Sequence, residues 1–304
     1  MIICDTHCDV LYTRVFHPEE TPVVTPENMK KGGISLQTCT LFAGAGGVEK
    51  HPYEAGMREY REFERLVKEE GWQQVFSPLD ARDGEVREML SMEGGEILEG
   101  RVDRVDEFYQ YGVRMIALTW NRENEIGHPA KSGSQEGIKR AGWEILKRMA
   151  ELNIAADTSH LNEAGFWDLI HHHSQPPMAS HSCVRSICDH FRNLRDDQIR
   201  AMIDCGGWIG INFYPAFLSN DGVADAKLIC DHIDYICQMG GEKHVGFGSD
   251  FDGIEMTPSD VRTPAEVPNI ISELRRRGYS ENAIADIAGL NFIEYYRRLG
   301  WKQQ

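Results

Sequence analysis

Six side chains of this sequence carry a nitrogen or carboxylate ligand atom where a run of strand-forming residues stops: His7, Asp9, Glu93, His160, His181 and Asp250. The first two sit closest together. Asp5-Thr6-His7-Cys8-Asp9 leaves the apolar run Met1-Ile2-Ile3-Cys4, and a strand alternates its faces with period two, so His7 and Asp9 point the same way. An imidazole and a carboxylate on one face make half of a metal shell. Glu93 stands before Gly94-Gly95, His160 follows Asp157-Thr158-Ser159, His181 lies between two serines, and Asp250 follows Gly248-Ser249. Histidines and carboxylates in this mixture, with one glutamate shared, suit a pair of Zn²⁺ or similar divalent ions, ~3.5–4 Å apart across the bridging carboxylate.

Each piece alone has a plainer reading. A lone His-x-Asp is more often a local hydrogen bond, Glu93 a solvated turn residue, and His160 or Asp250 part of a cap. The weight comes from their shared position at the ends of separate strands. Eight β-rich runs recur at long intervals, at residues 2–7, 34–42, 88–93, 113–120, 154–159, 178–181, 208–213 and 244–250. Several are almost continuously apolar, as parallel strands covered on both faces must be.

Helical patterns lie between most of them. Thr25-Pro26 reads as a cap with proline at the first helical position, and Gly32-Gly33 stops that helix. Met57, Tyr60, Phe63 and Val67 recur at helical spacing, as do Ile138, Ile145, Met149 and Leu152. Thr263 and Glu266 read as a capping box around Pro264, with Gly278 ending the helix. The alternation predicts a single-domain (β/α)₈ TIM barrel over residues 1–304. A doubly wound open sheet is the alternative, since strand order is not written in the sequence. In a barrel, catalytic side chains gather where the strands finish.

Bulk composition removes other classes. Lys and Arg number 32 against 48 Asp and Glu, a net charge of −16 that repels nucleic acid and anionic membranes. No apolar run is long enough to span a bilayer, and the N-terminus lacks the features of a signal peptide. Eight scattered cysteines without a Cys-x-x-Cys pair read as free thiols in a reducing cytoplasm. Several tempting residues are assigned no chemistry. His171-His172-His173 reads as a solvated helix end, Cys8 as barrel packing, and the charged run over residues 58–70 as an exposed helix face. His17, His51 and His232 have no partner pattern.

The segments Asp5-Thr6-His7-Cys8-Asp9, Met92-Glu93-Gly94-Gly95, Asp157-Thr158-Ser159-His160, Ser180-His181-Ser182, His190-Phe191-Arg192-Asn193 and Gly248-Ser249-Asp250-Phe251-Asp252-Gly253 resemble the membrane (renal) dipeptidase family, peptidase family M19, within the amidohydrolase superfamily. Lys31-Gly32-Gly33 and Gly289-Leu290-Asn291-Phe292 are similar too, and the motifs keep the family's order nearly end to end. The resemblance implies a metallo-dipeptidase whose first zinc is held by His7, Asp9 and Glu93 and whose second is held by Glu93, His160 and His181. It makes Arg192 the grip on the substrate's C-terminal carboxylate and Asp250 the acid/base, with Glu93 holding the ions together at the reacting centre. Hydroxide bridging the two ions would attack a small dipeptide, and a homodimer is implied by family likeness alone. The same ligands take Mn²⁺ or Co²⁺, and whether the second substrate residue is L or D stays open.

One position departs from the pattern. Leu118-Thr119-Trp120-Asn121 has tryptophan where family members carry a histidine thought to steady the oxyanion. Indole donates only through its N–H and fills more space, so a hydrolase of N-acyl amino acids or another small amide is the alternative. Nuclease or phosphoesterase relatives usually open with His-x-His and carry a basic face, which this chain does not. A non-catalytic binding barrel is the distant alternative, since all six metal and acid/base positions are present.

Overall fold

The computed structural model describes residues 1–44 and 50–302. Eight parallel strands close into a barrel in chain order: β1 (Cys4–Asp5), β2 (Leu36–Phe42), β3 (Glu88–Glu93), β4 (Val113–Ala117), β5 (Ala155–Asp157), β6 (Met178–Ala179), β7 (Trp208–Ile211) and β8 (Val245–Phe247). Closure comes from β8 pairing with β1, Phe247 opposite Asp5. The open-sheet alternative is thereby excluded. Every strand residue is buried, because the interior side chains and the outer helices cover both faces.

Each expected strand is present, and most are shorter than their apolar runs. β1 and β6 keep two residues each. The residues that follow them leave the ladder, and it is these that reach the centre of the barrel mouth. His160 and Asp250 both sit at φ +67°, the left-handed region that no strand residue adopts.

The helix signals hold with two corrections. Thr25 Oγ1 accepts from Asn28 N–H at 3.2 Å over helix Pro26–Gly32, and Gly33 ends it at φ +70°. The Thr263–Glu266 capping box does not form. Thr263 makes no side-chain cap, and Glu266 instead accepts from Arg262 N–H at 2.6 Å, while the α-helix itself begins later, at Pro268–Arg276. The run over residues 58–70 is not wholly exposed: Glu59, on helix Pro52–Glu69, is fully buried beside Phe63 and accepts from Phe42 N–H at 2.5 Å. Burial pushes the Glu59 carboxyl well above its ordinary range, the backbone bond from Phe42 opposing this.

Candidate metal centre and substrate cavity

The barrel mouth brings all six predicted ligand and acid/base residues together. His7 Nε2 lies 3.3 Å from Asp9 Oδ2, 3.8 Å from Glu93 Oε2 and 3.5 Å from Asp250 Oδ1. On the other side, Glu93 Oε1 is 3.0 Å from His160 Nε2 and 3.3 Å from His181 Nε2. The two histidine nitrogens are 3.1 Å apart. One carboxylate therefore turns one oxygen to His7 and the other to His160 and His181, as a ligand shared by two ions would. Among the described residues, His7, Glu93 and His181 form one group with ligand atoms within 4.8 Å, and His7, Asp9 and Asp250 form another.

Neighbouring elements hold these groups from behind. His7 Nδ1 meets Thr40 Oγ1 at 3.3 Å, and that hydroxyl meets Ser91 Oγ at 2.9 Å. His181 Nδ1 meets Ser180 Oγ at 2.7 Å, and the serine donates to Asp157. Asp157 also accepts from the N–H groups of Ser159 and Ser180 at 2.9 Å each, tying β5 to β6. His160 Nδ1 meets Asn121 Oδ1 at 3.2 Å. Three rings thus have their outer nitrogen engaged and the inner one turned to a common centre, the usual arrangement of metal-bound imidazoles.

Without ions the centre is electrostatically unbalanced. Burial raises Glu93 well above its ordinary range, with Asp9 and Asp250 adding to the rise and His7 opposing it. Burial likewise carries Asp250 to about 6. Burial alone would lower His7, yet Asp9 and Glu93 outweigh it and raise the ring to about 10. His160 and His181 are pushed well below 6.5 by burial, with Arg192 and His7 adding to it. Two neutral imidazoles thus stand ready as donors beside the carboxylates. Asp9 Oδ1 is also buried with no hydrogen-bond partner, a condition that costs about 1–3 kcal/mol unless something else satisfies it. Divalent cations fit this donor set and resolve both defects.

Above the centre opens a cavity of about 560 Å³, floored by Asp9, Glu93, His160 and Asp250 and walled by Tyr12, Phe42, Trp120 and Tyr214. That volume suits a small ligand. The floor is crowded against backbone: a Cβ on Gly253 would lie 2.0 Å from Asp9 Oδ2. Asp250 is held from the side, its Oδ2 accepting from Asn212 Nδ2 at 2.8 Å. Arg192 is not among the cavity-lining residues. It lies 6% exposed behind Phe217, its Nη2 donating to His181 O at 3.2 Å and its Nε buried without a partner. Burial lowers the Arg192 pKa, while Glu93 and Asp250 act to raise it.

Residues that sequence reasoning assigned no role are Asn121, Asn212, Thr40 and the Asp157–Ser180 pair. Asn212 directly follows β7, and Asn121 directly follows the longer apolar run 113–120 that contains β4, so attention to strand ends could have found both.

Comparison with known proteins finds relatives along nearly the whole chain. The family model for membrane dipeptidase, peptidase family M19, matches residues 1–299. The chain belongs to this family. By that membership it is a metallo-dipeptidase, a hydrolase of peptide bonds that works with divalent metal ions. An uncharacterised protein from the pqqA 5′ region of Klebsiella pneumoniae is 36% identical over 233 residues, which are 73% of this chain and 85% of that one. An uncharacterised dipeptidase of Schizosaccharomyces pombe is 31% identical over 70% of this chain, which spans about half (53%) of that protein. In fold, a Rhodobacter sphaeroides metallopeptidase, liganded with a phosphinate mimic of L-Ala-D-Ala, superposes with a TM-score of 0.91 at 24% identity over 99% of both chains.

In this family member, Trp120 stands edge-on to Phe42, ring centroids 5.0 Å apart, and 6.2 Å from the His160 ring. Gly44 makes room for it: a Cβ there would come within 2.6 Å of the indole. The tryptophan is part of an aromatic wall. No helix of the described residues is long and apolar enough to cross a membrane.

Proposed function

We propose that this dipeptidase cleaves dipeptides bearing a free C-terminal carboxylate, through two divalent ions, zinc first, held by His7, Asp9 and Glu93 on one side and by Glu93, His160 and His181 on the other. The observation that carries the reading is the division of the Glu93 oxygens between His7 and the His160–His181 pair. Bound there, such ions would supply Lewis acidity and bring the pKa of a water towards ~7.

The chain's own groups do the rest. Asp250 Oδ1 faces the centre while Oδ2 is anchored by Asn212. Oδ1 takes the proton of the attacking water and hands it to the departing amine. The family resemblance, rather than the cavity lining, assigns Arg192 to the substrate carboxylate; its buried Nε has no partner within the protein. A carboxylate held at a set distance from the reacting carbonyl admits two residues and disfavours longer peptides. The L-Ala-D-Ala mimic on the Rhodobacter protein supports testing a D-residue at the second position. Eight free cysteines support placing the reaction in a reducing cytoplasm.

The aromatic wall of Tyr12, Phe42 and Trp120 favours one second reading, hydrolysis of N-acyl amino acids. Steady-state rates on L,L and L,D dipeptides, on their C-terminal amides and on N-acyl amino acids, with Zn²⁺, Mn²⁺ or Co²⁺ loaded in turn, test both. The dipeptidase reading expects the highest kcat/KM on free dipeptides. Faster turnover of N-acyl amino acids would replace it.

A further inference from the structure

Asn121 is a cavity residue that the mechanism above leaves without work. It stands beside Trp120 after β4, half-buried, with its Oδ1 3.2 Å from His160 Nδ1. The opposite nitrogen of that ring, Nε2, is 3.0 Å from Glu93 Oε1 and 3.1 Å from His181 Nε2. A ring nitrogen that binds a cation must present its lone pair. The proton of the neutral ring then has to sit on Nδ1, and Nδ1 needs an acceptor.

The three histidines meet this need differently. His181 Nδ1 leans on Ser180, whose own hydroxyl proton goes to Asp157, so the serine oxygen is left to accept. His7 Nδ1 leans on a hydroxyl, Thr40, that can turn either way. His160 has a side-chain amide, whose oxygen can only accept. Its backbone is also the least ordinary of the three, at φ +67° with its carbonyl accepting from Ala130 N–H at 2.7 Å. Backbone clamp and amide together leave the ring a single orientation, Nε2 inward.

We propose that Asn121 is a positioning residue for His160: by accepting the Nδ1 proton it fixes the tautomer and ring direction, and so sets the affinity of the ion that His160 shares with His181. This rests on the two-ion reading above. Loss of an outer partner of a metal-bound histidine typically weakens binding 10- to 100-fold.

The test is ion binding by the full chain after removal of metal with a chelator. Co²⁺ and Zn²⁺ are titrated in competition with a chromophoric chelator, and the Co²⁺ visible spectrum is recorded for each site. Wild type is expected to take two ions. Asn121→Ala should bind one as wild type does and the other 10- to 100-fold more weakly, with the weaker site's Co²⁺ bands changed. Asn121→Asp, which restores an acceptor on the same stem, should recover most of the affinity. Far-UV circular dichroism and a thermal melt confirm that each variant is folded. An alanine variant holding both ions within twofold of wild type overturns the proposal, and so does an aspartate variant as weak as alanine. A wild-type protein that binds fewer than two ions sinks the two-ion reading itself, which is a separate and visible outcome.

Discussion

Acid is expected to loosen the walls of the cavity through a histidine that touches neither the ligands nor the substrate. His232, fully buried on helix Ala226–Ile236, accepts from Val184 N–H through Nδ1 and donates through Nε2 to Leu218 O, both at 3.0 Å. Val184 lies in the segment that runs from His181 to Arg192, and Leu218 follows the cavity residue Phe217. Only the neutral ring can make both bonds, since a proton on Nδ1 would face the Val184 N–H. Burial lowers the His232 pKa to about 4, the bond to Leu218 opposing. The unfolded chain, titrating near 6.5, therefore takes up the proton first, and stability falls as pH drops from about 6.5 to about 4. That separation, at about 1.4 kcal/mol per pH unit, amounts to about 3 kcal/mol. His232→Leu orphans a buried donor and a buried acceptor, so it should cost several kcal/mol at pH 7, at about 1–3 kcal/mol for each group. Urea unfolding of both proteins from pH 4 to 7.5 reads the difference. The gap between them should shrink by about 3 kcal/mol towards pH 4, because only the wild type has this group to protonate. A gap that stays constant across the window would refute the reasoning.

Three further outcomes are expected at the site. Asp250→Asn should lower kcat by about 10²- to 10⁴-fold while elemental analysis still finds both ions; near-wild-type turnover would dismiss the aspartate as the proton carrier. Arg192→Met should raise KM for dipeptides and narrow the preference for a dipeptide over its C-terminal amide, and an unchanged preference would reject the carboxylate grip. Gly253→Ala puts a Cβ within 2.0 Å of Asp9 Oδ2 and 2.9 Å of Asp250 Oδ1, so Asp9 must swing aside. Ion content should then drop on the His7–Asp9 side, and full occupancy would show that the floor yields without loss.

The chemistry and the barrel were legible for the same reason. A parallel strand buried on both faces is largely apolar, and a histidine or carboxylate at or just past its end stands out against that run. Hence β3 is read at its observed bounds, Glu88–Glu93, and the ligand residues stand out as polar stops. Even the misread Glu59 had a signal, because Ala55, Glu59, Phe63 and Leu66 follow one helical stripe and all four are buried. A stripe that includes a carboxylate looks like a charged face until the groups behind it are known.

Local sequence thus determined where along the chain each strand would lie, and which side chains would arrive at the mouth of the barrel. Tertiary structure alone decided that β8 closes on β1, that Glu93 faces two ligand sets rather than one, and that Asn121, Asn212 and Thr40 stand behind the groups they orient. Those relations join residues tens to hundreds of positions apart. No periodicity carries them, because they are fixed by how strands stagger around a closed cylinder and by which buried donor finds which acceptor.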